Sequence, residues 1–244
     1  MRFLYVAPRY HTNQVLIIRG LKRKGHEVCF LSQYAGKVED YSDLTPTVIG
    51  YSRIFLFFDR IYMALMKNRD AYAGDRKMKC GFPPIGKLKR AIRDSHGDVA
   101  VLRERSVYSI CAYLLCKKYK IPAILYNQSP LWEDCIKNDP AHRLMRLLTP
   151  TVRMTPVMGV QDGRKVKEPG AAFVPFVMEP EQKAEEKRWI KDGITHIFSI
   201  GKYEERKNHR MLVEIVEELS AVYNIHLTIA GERTTSAHQA YYDR

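Results

Sequence analysis

Short apolar runs alternate with amphipathic stretches in the first part of the chain. Phe3–Ala7 predicts a strand, and apolar positions at helical spacing after it predict a helix that ends at Gly25. Val28–Leu31 then predicts a second strand. Because two successive strands joined through a helix run parallel, residues 1–31 predict a β-α-β unit.

Further elements of the same kind follow this unit. The pattern predicts a helix over 88–93, a strand over 99–102, a helix over 107–119, and strands over 123–126 and 152–158. Residues 40–85 and 128–150 show no regular period. Strands that alternate with helices are typical of an α/β, Rossmann-like parallel sheet.

A second unit begins after a change in composition near Pro175. It combines a predicted strand over 195–200, a helix with one apolar stripe, and a strand over 226–230. Two strands and one helix do not cover both faces of a parallel sheet. We therefore predict a complete domain over 1–178 and the start of a second Rossmann-like domain over 179–244. The stripe consists of Met211, Leu212, Ile215, Val216 and Leu219.

Composition narrows the class of protein. The chain has 244 residues, of which 45% are apolar, enough for a substantial core. Its five cysteines lack C-x-x-C and zinc spacing, so we expect reduced core thiols in a cytoplasmic protein. The first residues lack the apolar run of a signal peptide, and no stretch reaches the roughly 18 apolar residues of a membrane-spanning helix.

The net charge of +13 is unevenly distributed. Residues 1–178 contain 30 Lys and Arg against 15 Asp and Glu, whereas residues 179–244 contain 10 against 12. The apolar segment 54–66 precedes a basic block over 76–93, an order that suits an anionic membrane surface. A buried helix followed by a solvated basic face fits the same residues. The chain lacks the motifs of nucleic-acid modules, so we expect no nucleic-acid partner.

Gly81–Leu88 spells G-x-x-x-x-G-K, but two features argue against a phosphate-binding P-loop. Leu88 stands where a magnesium-binding Ser or Thr is needed, and Pro83 and Pro84 remove backbone donors. The chain also lacks G-x-G-x-x-G and H-E-x-x-H. It therefore predicts neither a dinucleotide site nor a zinc site of those types.

The segment after the predicted strand 195–200 combines residues that suit a diphosphate. Gly201 lets the backbone approach a ligand, and Lys202 and Lys207 bring two positive charges to one loop. The helix that follows contributes free N–H groups and a partial positive charge at its N-terminus. An ordinary charged loop also fits this spacing, so both interpretations stand on the spacing alone.

The same segment resembles the donor-binding half of the GT4 family of retaining glycosyltransferases. It reads G-K-Y-x-x-x-K-N at 201–208, followed by a helix and a strand that ends in A-G-E at 230–232. The family pattern is G-R-L-x-x-x-K-G or K-N, followed by a strand ending in G-x-G or G-E-G. Residues 1–31, with G-H-E-V at 25–28, are similar to the family's first β-α-β unit. The resemblance implies the GT-B fold of two Rossmann-like domains.

The resemblance also implies roles for particular residues. Gly201, Lys202 and Lys207 would bind the donor diphosphate, and Gly231 and Glu232 would lie in the loop that approaches the nucleotide. Lys202 stands where the family usually has Arg, which keeps the charge but loses the bidentate fork. The two lysines would stabilise the departing diphosphate without a metal, so no cofactor and no metal is expected.

Three departures from the family pattern limit this assignment. Y-H-T-N at 10–13 replaces a Gly-Gly pair, and Asn127-Gln128 replaces a His that often follows the strand over 123–126. The E-x7-E segment, whose carboxylates hold the donor sugar and ribose, is not present in these residues. The catalytic residue is therefore unassigned, and we expect the 244 residues alone to be inactive.

Three residues near the ends of predicted strands are candidates for the acceptor side: His11, Arg103 and Asn127. His11 fits a helix cap or a surface position equally well, although Thr12 or Asn13 is the predicted cap. Arg103 fits an exposed ion pair as well as a cleft.

The resemblance implies transfer of a sugar, with retention, from a nucleotide sugar to a lipid-linked or polysaccharide acceptor. Synthesis of cell-surface polysaccharide, including lipopolysaccharide, is the expected setting. We expect a cytoplasmic protein, peripheral on the inner face of the plasma membrane, that self-associates through its incomplete second domain. Two alternatives stay open: a non-catalytic fragment that binds a membrane, a glycan or a partner chain, and a GT-B nucleotide-sugar epimerase.

Overall fold

The computed structural model describes residues 1–36, 40–65, 77–78, 80–104, 107–128, 140–156, 170–177, 189–231, 233 and 236–243. These residues form two compact units, one up to Val177 and the other from Trp189 onward.

The first unit is built on a parallel sheet of seven described strands. They are β1 (Arg2–Ala7), β2 (Glu27–Ser32), β3 (Thr47–Val48), β4 (Val99–Arg103), β5 (Ala123–Tyr126), β6 (Arg153–Thr155) and β7 (Ala171–Phe173). Their order in the sheet is β3-β2-β1-β4-β5-β6-β7, so β1 pairs with β2 on one side and with β4 on the other. This is the predicted α/β, Rossmann-like parallel sheet.

Side chains of β1 alternate between two apolar cores, one on each face of the sheet. Leu4 and Val6 pack with residues of two helices on one face, and Tyr5 and Ala7 pack with a third helix on the other. Because both faces are covered, the strands read as nearly continuous apolar runs. The helices of this unit are α1 (Thr12–Arg23), α2 (Arg53–Leu65), α3 (Ile85–Asp94), α4 (Val107–Lys118) and α5 (Pro140–Leu148).

The structure decides between the two interpretations of the apolar segment 54–66. Up to Leu65 this segment belongs to α2, and the apolar side of the helix faces outward: Ile54 and Leu65 are 73% and 77% exposed. Asp59, in the middle of the helix, is instead 4% exposed. The interpretation of this segment as a buried helix is therefore wrong. Within 40–85, where the sequence shows no period, the structure also contains β3.

The second unit has a sheet of three described strands in the order β10-β9-β8. The predicted pair β9 (Ile194–Ile200) and β10 (Ile225–Ala230) is parallel, and the short β8 (Ile190–Lys191) pairs antiparallel with β9. A 3-10 turn over Glu205–Lys207 precedes helix α6 (His209–Leu219), and α7 (Ser236–Tyr242) follows β10. Within the predicted stripe of α6, Val216 is buried, and Met211, Ile215 and Leu219 are exposed.

The described cysteines form no disulfide, and the described helices are too short or too polar to span a membrane. Cys29, Cys80, Cys111 and Cys116 are free thiols, and Cys135 lies outside the described residues. Cys80 is exposed rather than in the core. Burial raises the pKa of the Cys116 thiol to about 12, which keeps it protonated at neutral pH. No helix in the described ranges is both long and apolar enough to cross a membrane.

Candidate functional site

The strand order of the first unit reverses between β1 and β4, which places their carboxyl ends side by side. Ligands of open α/β sheets bind at this point. A cavity of about 210 Å³ lies here, at the ends of β1, β4 and β5. A wider depression of about 500 Å³, beside residues 41–47, lies away from these strand ends. The polar lining of the smaller cavity includes Arg9, His11, Gln14, Tyr34, Arg103 and Gln128.

His11 caps α1 and lines this cavity at the same time. Its Nδ1 accepts a hydrogen bond from the Asn13 amide at 3.2 Å, and the Gln14 side chain accepts one from the His11 amide at 3.1 Å. This reciprocal arrangement is a capping box, which satisfies two amides at the start of the helix. The prediction of Thr12 or Asn13 as the cap is therefore wrong, because the extended backbone before the helix is at His11.

Arg103, at the end of β4, makes three contacts with residues at the end of β5. Its guanidinium donates to the Tyr126 carbonyl at 3.3 Å and to the Gln128 side-chain oxygen at 2.9 Å. It also lies 5.2 Å from the centre of the Tyr126 ring. These contacts orient the guanidinium at the edge of the cavity. Arg9 adds a second guanidinium, and the lining of this cavity in the described residues contains no carboxylate.

Glu104 and Asn127 take part in a buried network next to the cavity rather than in its lining. The Arg153 Nε donates to Glu104 at 2.9 Å, and these two side chains are 5% and 10% exposed. The side-chain Nδ2 of Asn127 donates to the other Glu104 carboxylate oxygen at 3.0 Å. Asn127 therefore positions Glu104, and the acceptor contact expected of Asn127 does not follow from this geometry. The buried pair is not visible in sequence spacing, because Glu104 and Arg153 are 49 positions apart. The contributions of Arg9, Gln14 and Gln128 to the cavity were missed because they depend on which strand ends the fold brings together.

In the second unit, the residues predicted to bind a diphosphate form the loop between β9 and α6. Gly201 continues β9, and its amide donates to the Ala230 carbonyl at 2.9 Å. Lys202 and Lys207 are both exposed. The carbonyl of Lys202 lies 3.2 Å from Nε2 of His209, whose ring is buried. The buried ring thus ties the start of the loop to the first residue of α6.

Gly231 has a clear steric reason to be glycine. A Cβ at Gly231 would lie 2.1 Å from the Gly201 carbonyl oxygen and 2.9 Å from the Tyr203 ring. A Cβ at Gly201 would meet only the flexible Lys207 side chain at 3.3 Å and the His209 ring at 3.5 Å. The missing Cβ of Gly231 therefore lets the ends of β9 and β10 come together. Glu232, the other residue predicted in this loop, lies outside the described residues.

The N-terminus of α6 differs in one respect from its prediction. Asn208 adopts the left-handed conformation, with φ of 50°, which explains why Gly or Asn suits this position. The helix amides were expected to be free for a ligand, but the Arg210 amide donates to the Tyr241 hydroxyl at 3.3 Å. Tyr242 packs edge-on against Tyr203, with ring centres 4.9 Å apart. A ligand that uses the Arg210 amide must therefore displace the Tyr241 hydroxyl.

His209 is a residue of this site that sequence reasoning missed. Its Nδ1 is buried and has no hydrogen-bond partner among the described residues. Its position at the start of an amphipathic helix gave no signal, because the helix period alone does not show which end is buried. In the described part of the chain, no three His, Cys, Asp or Glu side chains come together as a metal site would require.

The chain is similar to several solved structures, whereas no family model and no curated protein sequence matches it. Among solved structures, it is similar to the glycotransferase of kitacinnamycin, with a TM-score of 0.57, 16% identity, and coverage of 97% of this chain and 67% of that one. It is also similar to the glycosyltransferase SnogD from Streptomyces nogalater, with a TM-score of 0.53, 16% identity, and coverage of 96% and 68%.

A third similar structure is S. aureus MnaA with UDP, with a TM-score of 0.52, 8% identity, and coverage of 99% and 65%. The chain thus spans about two thirds of the length of each of these proteins. At such identities the similarity shows the fold. The chain has the GT-B type of α/β fold, with a Rossmann-like parallel sheet in the first unit and a smaller α/β unit after it.

The glycine contact predicts that Gly231→Ala destabilises the second unit. Because the new Cβ would meet backbone oxygen at 2.1 Å, we expect a loss of about 3 kcal/mol in the free energy of unfolding, measured with urea by circular dichroism. Gly201→Ala is the matched control and should lose much less, since the Lys207 side chain can move. Equal losses in the two variants would contradict the steric account.

The buried network predicts a second difference in stability. Glu104→Gln leaves the Arg153 guanidinium buried without its counter-charge, which typically costs about 3–5 kcal/mol of unfolding free energy. Glu27→Gln breaks the exposed Arg2 pair and should leave the urea midpoint unchanged. If both variants unfold at the same urea concentration as the parent, the network does not support the strand ends.

Proposed function

We propose that the protein transfers a sugar from a nucleotide-sugar donor to a hydroxyl of an acceptor. The observation that carries this proposal is the loop between β9 and α6, which presents Lys202 and Lys207 at the carboxyl end of a parallel strand. Ligands of α/β sheets bind at such strand ends. The fold supports the proposal, since similar structures include proteins described as glycosyltransferases and one solved with UDP.

In this proposal the loop binds the diphosphate of the donor. Gly201 leaves the backbone open, and the two lysines supply the charge that a departing diphosphate needs. The Lys207 stem lies against Gly201, which holds this side chain close to the strand end. The charge comes from the protein, so the proposed step needs no metal. Retention, as in the GT4 family, belongs to the same proposal.

The acceptor would bind at the cavity of the first unit. The guanidinium groups of Arg103 and Arg9 suit an acceptor that carries an anionic group, such as the phosphate of a lipid-linked sugar. His11 and Gln14 add polar groups for hydroxyls. A lipid-linked or polysaccharide acceptor, a cytoplasmic location and a role in cell-surface polysaccharide synthesis follow from this proposal. Self-association through the second unit is part of it too.

The donor site is tested by calorimetric titration of the chain with UDP and with GDP. Lys207→Ala should weaken binding about 10- to 100-fold, because one charge-assisted contact is lost. Lys202→Ala should act in the same direction, and Lys202→Arg should preserve or tighten binding. Lys191→Ala, an exposed lysine on β8, is the matched control and should bind as the parent does.

Two outcomes would overturn this proposal. If both alanine variants bind as tightly as the parent, the loop is only a solvated turn. If the parent binds neither nucleotide, the second unit has no donor site. Isomerisation of a nucleotide sugar without any acceptor would instead favour the epimerase reaction.

A further inference from the structure

Helix α2 carries its apolar side chains on the face that points outward. At about 100° per residue, a single stripe of the helix holds five large apolar side chains. Each of them is between 44% and 77% exposed. Isolated exposed apolar residues are ordinary, but a contiguous stripe marks an interaction surface. This α2 stripe consists of Ile54, Phe57, Phe58, Ile61 and Leu65.

The opposite face of α2 is fixed by a buried charge. The Asp59 side chain is 5% exposed, and the Lys77 Nζ lies 3.4 Å from its Oδ2. A buried carboxylate is costly unless it is paired, so this contact holds Asp59 inward. The α2 stripe lies on the other side of the helix from Asp59. Its exposure is therefore built into the packing of the helix.

The charged side chains beside the stripe are positive. Of the three charged residues of α2, the two exposed ones are Arg53 and Arg60. Both lie on the same flank, about 100° from the stripe, so their long stems can follow an apolar surface while the charge stays outside. Exposed cations beside an exposed apolar stripe are the pattern of a helix that lies in the interface of an anionic bilayer.

The chain just before α3 lies beside the start of α2 and carries further exposed apolar side chains. The Ser52 amide, just before α2, donates to the Phe82 carbonyl at 2.8 Å. Phe82 and Ile85 are both partly exposed, at 41% and 38%. Lys87 of the basic block has a structural role instead, since its Nζ donates to the carbonyls of Val48 and Ile49.

We propose that the α2 stripe inserts into the headgroup region of a bilayer that contains anionic lipid. Anionic headgroups complement Arg53 and Arg60, and the acyl region accepts the stripe. A symmetric pair of copies would bring like charges together around the same stripe, which opposes that occupant. The proposal does not depend on sugar transfer, because it rests on the surface of the first unit alone.

The test is co-sedimentation of the 244-residue chain with vesicles of phosphatidylcholine, with and without phosphatidylglycerol. The parent should bind the anionic vesicles, and added salt should weaken binding. The double variant Phe57→Gln with Phe58→Gln should bind at least about tenfold more weakly, because two exposed rings no longer enter the bilayer. Val222→Gln is the matched control, as Val222 is 77% exposed in the second unit, close to the acidic Glu217 and Glu218, and the variant should bind as the parent does.

A second readout reports insertion directly. Tryptophan emission from a Phe58→Trp variant should shift to the blue with anionic vesicles and be quenched by brominated acyl chains. A Val222→Trp variant should show neither effect once the emission of the parent, which contains Trp132 and Trp189, is subtracted from both variants. The proposal is overturned if the parent does not bind anionic vesicles or if the Phe57 and Phe58 double variant binds them as the parent does. It is also overturned if the double variant turns a dimer into a monomer while the parent ignores lipid. UDP titration of the same double variant, expected to match the parent, separates this outcome from a failure of the donor site.

Discussion

Pairing of β1 with both β2 and β4 is the constraint on which the first unit depends. A strand at this position is buried on both faces, so its side chains must be apolar throughout, as Leu4, Tyr5 and Val6 are. Because β2 lies on one side of β1 and β4 on the other, the helix after β1 (α1) and the helix after β4 (α4) pack on opposite faces of the sheet. The crevice that results holds Arg9 and Arg103 at one end of the sheet. Next to this crevice, the buried ion pair joins Glu104, just after β4, to Arg153 of β6 across the intervening β5.

In the second unit, a close contact between the ends of two parallel strands positions the loop. The two long strands end at Gly201 and Gly231, and the missing Cβ of Gly231 lets the Gly201 carbonyl approach. This contact defines where the loop with Lys202 and Lys207 begins. The buried His209 ring then connects the Lys202 backbone to α6. Lys202 and Lys207 are both exposed. The backbone at the start of their loop is held by the bond from Gly201 to Ala230 and by the contact between Lys202 and His209.

The sequence was sufficient for the central strands and the helices between them, because burial on two faces leaves a strong apolar signal. It also located the loop at 201–208, since glycine, lysine and a helix start are adjacent there. It did not predict β3, α5, β7 and β8, which are short or lie in segments without a regular period. It left open whether the apolar segment 54–66 is exposed or buried, because an amphipathic pattern shows that a helix has two faces but not which one is covered. His11 was one of the positions that fit a cap, but the sequence favoured Thr12 or Asn13, because the exact start of a helix depends on backbone angles that the pattern does not show. The contact from Asn127 to Glu104 was missed because these residues are 23 positions apart.

The central claim is that the loop between β9 and α6 binds a diphosphate. Hydrogen–deuterium exchange of the chain, with and without UDP, tests this most directly because it reports where the ligand binds. The account predicts slower exchange in peptides that cover Gly201 to Arg210, with no change in peptides that cover β8. Unchanged exchange over 201–210 at a UDP concentration that saturates binding would contradict it. So would protection confined to the ends of β1 and β4.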